Sequence, residues 1–179
     1  MLIERGINIY MNFLEKDLEN IVFETDNNLL QKRGLYLSGK KMRQVNIGNY
    51  GICDVVCIER DMRMETEQYD FEKYHTYKYP RLLINMIELK KDEISANSLL
   101  QAVRYCRGIE SYICGRNPEL ELKFSITLIG KVLVRGDFCY LPDVFGDINL
   151  YTYKYSYDGI SFNRESGYTL INEGFKNGK

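Results

Sequence analysis

The stretch Leu82-Leu83-Ile84-Asn85-Met86-Ile87-Glu88-Leu89-Lys90 constrains this chain more than any other. A mostly apolar run of this length reads as a buried strand. It ends in an acid and a base one residue apart. Side chains alternate along a strand, so Glu88 and Lys90 point to one side and Leu89 to the other. A carboxylate and an ammonium at the end of a core strand cost desolvation unless they pair or bind something. A divalent cation and a phosphate would satisfy both.

Upstream, Gly51-Ile52-Cys53-Asp54-Val55-Val56-Cys57-Ile58 is a second apolar, β-branched run interrupted by one acid. An Asp inside such a strand is seldom there for packing alone. Asp54, followed by Glu88-x-Lys90 on the next long strand, resembles the PD-(D/E)XK nuclease superfamily. Within it, the chain is most similar to the branch of NucS-like and RecB-like nuclease domains, over roughly residues 12 to 106.

The resemblance implies an α/β fold with a restriction-endonuclease-like core: a central mixed β-sheet flanked by helices, in the order αβββαβ, with a C-terminal β-hairpin. It implies a metal-dependent DNA nuclease using Mg²⁺, for which Mn²⁺ substitutes. Asp54 and Glu88 would be metal ligands, with the backbone carbonyl of Leu89 as a third. The family's first helix carries a Glu, matched here by Glu15, with Glu19 as the alternative. Lys90 would face the attacking water and the scissile phosphate. Gln101-x-x-x-Tyr105 on the following helix resembles the same branch, in which this helix offers a polar side chain to the metal site or the DNA. Arg43, Lys91 and Tyr105 are the residues expected against nucleic acid. Magnesium prefers oxygen ligands and keeps part of its water, so one or two carboxylates suffice.

At 179 residues the chain reads as one domain, with a core over about 12–135 and a β-rich extension over about 136–170. A net charge of −1 argues against bulk electrostatic attraction to nucleic acid but allows a local basic groove. The five cysteines, 53, 57, 106, 114 and 139, lack zinc-like spacing and read as reduced thiols of a cytoplasmic protein. The N-terminus has no long apolar segment, so neither a signal peptide nor a membrane span is expected. His75 is the only histidine, which argues against zinc-protease and HNH-type sites.

Residues 1–10 are a short strand or a ragged start. A helix is expected from Asn12, its cap, to Glu24, with Leu14, Leu18, Ile21 and Val22 as its apolar stripe. Asp26-Asn27-Asn28 signals a turn. Lys40-Lys41-x-Arg43-Gln44 is either a solvated loop or an approach to a phosphate backbone. Gly48-Asn49-Tyr50-Gly51 is a hairpin turn. Arg60 to Tyr79 reads as a surface hairpin or loop. A second helix spans about Ser95 to Arg107, with Leu99, Ala102, Val103 and Cys106 inward, and Gly108 ends or bends it. Glu121-Leu122-Lys123 repeats the Glu-x-Lys spacing, but at the start of a strand, and is rejected as the site. That strand, Phe124 to Val134, completes the sheet. Tyr151, Tyr153, Tyr155 and Tyr157 share one side of a later strand, as cross-strand packing or as a base-stacking ladder. Asp158-Gly159 turns the final hairpin, and 167–179 reads as frayed.

Two other readings compete. The chain could keep the fold as a non-cleaving nucleic-acid-binding or regulatory module. It could also be a protein-interaction domain of a defence or mobile-element system, using the Tyr-rich hairpin. A homodimer would suit an enzyme that cuts both strands of a duplex.

Overall fold

Alternating apolar residues make the long strands here, and the two faces they bury decide where the helices lie. The computed structural model describes residues 13–71, 73–138 and 147–165. Helices α1 (Glu15–Glu24) and α2 (Asn27–Lys32) come first. Strand β1 (Lys40–Asn46) turns through one 3₁₀ turn into β2 (Ile52–Asp70), which reverses into β3 (Lys73–Leu89). A two-residue strand β4 (Glu93–Ile94) leads into α3 (Ala96–Cys114). Then follow β5 (Glu121–Gly130), β6 (Val132–Leu133), α4 (Arg135–Phe138), β7 (Ile148–Ser156) and β8 (Gly159–Glu165).

Six strands form one mixed sheet in the order β1-β2-β3-β5-β7-β8. The pairs β1/β2, β2/β3 and β7/β8 are antiparallel. The pairs β3/β5 and β5/β7 are parallel. A parallel pair needs a crossover, and α3 supplies the one between β3 and β5. One sheet face packs Val55, Ile87, Leu89 and Ile129 against Leu18 and Val22 of α1 and Leu30 of α2. The other packs Val56, Ile84, Met86 and Leu128 against Ala102 and Tyr105 of α3. Burial on both faces explains why residues 82–89 read as a nearly continuous apolar run. Each fully buried aliphatic side chain contributes about 1.5–3 kcal/mol relative to exposure.

Several expectations change. The signal at Asp26-Asn27-Asn28 caps a helix: Asp26 Oδ1 accepts from Asn28 N at 2.9 Å and starts α2. The α1 cap position is Leu14, whose N–H donates to Asp17 Oδ2 at 2.8 Å; Asn12 lies outside the described residues. The basic cluster at 40–44 is strand β1, not a loop. Lys41 Nζ caps the end of α1, donating to Val22 O at 3.0 Å and to Thr25 O. Of the two alternatives for residues 60–79 the hairpin holds: β2 and β3 continue through them as a long two-stranded ribbon.

Helix α3 runs seven residues past Arg107. Gly108 does not end it. A Cβ at Gly108 would sit 2.5 Å from Ile47 Cγ2 and 2.8 Å from the Tyr50 ring, so the glycine lets α3 lie against the β1–β2 turn. The most buried positions of α3 are Ser98, Ala102, Tyr105 and Gly108; Leu99 and Cys106 pack against the same core as expected, but Val103 faces solvent. Strand β5 does not close the sheet, because β7 and β8 add beside it. Tyr151 and Tyr153 are therefore core residues, unavailable for stacking on bases. Exposed Tyr155 stacks on Phe13 with ring centroids 4.6 Å apart. Cys53, Cys57, Cys106 and Cys114 are free thiols. Cys139, residues 1–10 and residues 167–179 lie outside the described residues. No helix among the described residues is long and apolar enough to cross a membrane.

Candidate active site

The register that pairs Val55 with Ile87 sets Asp54 across from Glu88 where β2 and β3 enter the core. Asp54 Oδ2 accepts from Leu89 N at 2.9 Å, which ties the acid of one strand to the backbone of the other. Glu88 is 2 % exposed. Its Oε1 accepts from Lys90 Nζ at 2.7 Å, and its Oε2 is buried without a hydrogen-bond partner among the described residues. Lys90 N donates to Ile129 O at 2.8 Å, so the backbone on both sides of Leu89 is fixed.

The charge of Asp54 acts on Glu88. Burial, then the charge of Asp54, pushes the Glu88 carboxyl up to about 7, against the lowering pull of Lys90. Burial also raises Asp54, partly offset by the Leu89 N–H and Lys90. Burial alone would lower Lys90, but its hydrogen bond and charge pairing with Glu88 outweigh that and hold it above the ordinary lysine value. A buried acid with one unpartnered oxygen, facing a half-buried one, favours a proton or a cation between the two. Cys53 lies beside them, its Sγ 3.6 Å from Ile87 O. Burial, then Glu88 and Asp54, push its thiol up, so it stays a neutral thiol.

Glu15 and Glu19 separate clearly. Glu15 Oε2 accepts from Lys91 N at 3.0 Å, at the strand end that carries Glu88 and Lys90. Glu19 is engaged elsewhere: it pairs with Arg43 Nε and accepts from Gln44 Nε2 at 2.8 Å. Arg43, expected near nucleic acid, thus faces α1. Lys91 has its backbone held on both sides, its N–H by Glu15 and its carbonyl by the Tyr153 hydroxyl. Gln101 Nε2 donates to Tyr105 Oη at 2.6 Å. Tyr105 is 3 % exposed, and its ring lies 3.0 Å from where a Cβ of Gly51 would be. Burial raises its hydroxyl above the ordinary tyrosine value, with Glu88 and Asp54 adding to the effect. Tyr105 is therefore a buried neighbour of the acid pair and not a surface that nucleic acid can reach in this state.

Glu15, Asp54, Glu88, Leu89, Lys90 and Lys91 thus converge on one end of the sheet, with Gln101 and Tyr105 on the covering helix. Glu121 and Lys123 stand at the other end of β5, where Glu121 pairs with Arg63 at 3.0 Å. His75 lies on the ribbon against Tyr77. Tyr153 is the contributor that sequence reading missed. It is 62 positions from Lys91, and nothing in the spacing links the two. No group of three or more His, Cys, Asp or Glu side chains among the described residues forms a ready-made metal cluster. Comparison with protein-family models, curated proteins and solved structures finds no match for this chain.

The buried acid has a measurable consequence for stability. In the unfolded chain Glu88 ionises near 4.5, and in the fold near 7. Between those values the folded state holds the extra proton, so stability falls as pH rises. The loss is on the order of 3 kcal/mol across that window, from about 1.4 kcal/mol per unit. Denaturant melts in chelator between pH 4.5 and 7.5 should show this decline, with Asp54 acting in the same direction. Glu88→Gln should flatten most of it, and an unchanged slope in that variant would show that Glu88 does not carry the proton.

Proposed function

We propose that this protein is a metal-dependent DNA nuclease that hydrolyses phosphodiester bonds at the Asp54/Glu88-x-Lys90 site. One observation carries the reading. Glu88 is buried opposite Asp54, and its second oxygen has no protein partner among the described residues. A stable core gives no reason to bury one acid opposite a second, half-buried one; a bound cation does. The donor set fits Mg²⁺, or Mn²⁺ in its place: carboxylates at Asp54 and Glu88, the nearby Leu89 carbonyl, and coordination positions left for water. Such an ion would polarise a phosphate oxygen and ease deprotonation of water.

The chain's own groups then have distinct tasks. Lys90, held by Glu88, presents a compact positive charge beside the acids, suited to the charge that builds on a phosphate as it is attacked. Glu15 positions the Lys90-Lys91 turn through the Lys91 N–H and can hold a water at the site's edge. Gln101, fixed by Tyr105, can orient a water or a phosphate oxygen. The wider identification as a restriction-endonuclease-like fold of the PD-(D/E)XK superfamily rests on the order of these residues: helix Glu, strand Asp, strand-end Glu-x-Lys, helix Gln-x-x-x-Tyr. A cytoplasmic location fits nuclease work and free thiols.

The test is cleavage of end-labelled single- and double-stranded DNA with Mg²⁺, with Mn²⁺, and with chelator. Wild type should cut only with metal. Lys90→Ala should lose at least about a hundredfold in rate, the scale of removing one charge-stabilising donor. Cutting that survives both chelator and Lys90→Ala would rule the reading out.

A further inference from the structure

The ribbon formed by the outer halves of β2 and β3 is not explained by the site. Strand β1 leaves β2 at Ile58, which pairs with Lys40, and β5 joins β3 only from Arg81. Beyond those points the β2–β3 ladder continues from Asp61↔Arg81 to Asp70↔Lys73, with no strand on either outer edge among the described residues. A two-stranded ribbon is marginal in water without a covering layer, and open edges invite a further strand. One row of the ribbon exposes Met62 at 50 % and Met64 at 64 %. The opposite row carries Arg63, which pairs with Glu65 at 2.7 Å.

Charge decides between occupants. From Glu59 to Arg81 the sequence has six acids against five Lys and Arg. Such a surface offers little net attraction to a phosphate backbone. It is suited to a partner with the same mixed pattern, and a two-fold interface needs that self-complementarity. The two edges also differ. The β3 edge includes Pro80, which has no N–H, and proline blunts an edge. The β2 edge has no proline from Glu59 to Gln68 and begins where β1 stops.

We propose that the β2 edges of two copies of this chain pair antiparallel about Met64, joining two ribbons into one four-stranded sheet. With the two-fold at Met64, Arg63 of each copy faces Glu65 of the other. Met62 and Met64 of both copies then form one apolar row. Asp61 would face Glu67 of the second copy, and its charge is already engaged by Arg81. The inference does not rest on the nuclease reading, because the ribbon and the acid pair share no residue.

Light scattering of the eluted protein, or sedimentation, over about a hundredfold range of concentration tests it. Wild type should reach the mass of a dimer. Arg63→Glu and Glu65→Arg should each weaken the dimer at least about tenfold by setting like charges opposite. The double variant R63E/E65R should restore it. A shortened chain, with residues 62–80 replaced by Asn-Gly, should be monomeric and keep a cooperative melt. A wild type monomeric at every concentration overturns the proposal. So does a shortened chain that still dimerises, or a folded double variant that fails to recover. A monomer whose DNA affinity falls on shortening would assign the ribbon to nucleic acid and overturn it equally.

Discussion

Asp54→Ala is expected to abolish metal-dependent cleavage, by at least about a hundredfold, while barely changing stability. The two effects have different origins. Removing the carboxylate frees the Leu89 N–H, which it binds at 2.9 Å, at a cost of about 1 kcal/mol. It also removes the negative charge that raises Glu88, a gain that offsets the loss. The melt should therefore move by no more than about 4 °C, the shift for 1 kcal/mol in a chain of this size. Asp54→Asn sharpens the test, since its amide oxygen can still accept from Leu89 N but carries no charge. Cleavage by Asp54→Asn within threefold of wild type would remove Asp54 from the proposed site.

Gly34→Val should be the most damaging substitution away from the site. Gly34 has φ +94°, a conformation that a β-branched residue adopts only with strain. A Cβ there would lie 2.1 Å from the backbone oxygen of Phe162, which cannot swing aside like a side chain. That contact sits where β8 docks on the end of α2, through Phe162 N to Arg33 O at 2.8 Å. Strain and forced separation together are expected to cost about 2–5 kcal/mol. Urea unfolding would read this directly. A midpoint equal to wild type would mean that the α2–β8 contact contributes little in solution.

The acid pair was legible in the sequence because strand alternation is local. An apolar run of β-branched residues with one Asp, and another ending in Glu-x-Lys, need no tertiary knowledge to be set side by side. The helices that cover them were legible from their periodicity. What escaped depended on partners distant in sequence. Arg43 looks like a free cation until Glu19 of α1 is placed beside β1. Gly108 looks like a helix end until the β1–β2 turn packs on it. Tyr153 looks like one rung of a ladder until its hydroxyl meets the Lys91 carbonyl. The ribbon stayed open between a surface hairpin and a loop for a different reason. Its residues alternate, but neither row is apolar enough to read as half buried.

The ribbon has one more consequence, for the fidelity of strand alignment. A slip of one residue between β2 and β3 would turn every side chain to the opposite face and separate Asp54 from Glu88. Asp54 and Glu88 sit at the very end of the core, one step beyond Val55↔Ile87. The ladder continues outward, where the Asp61–Arg81 ion pair and the Arg63–Tyr79 contact, 5.3 Å from guanidinium to ring centre, match one strand to the other. A slipped register would break each of these cross-strand matches at once. Residues on the order of 25 Å from the acids, at about 3.3 Å per strand residue, thus act as a vernier that holds the two carboxylates in step.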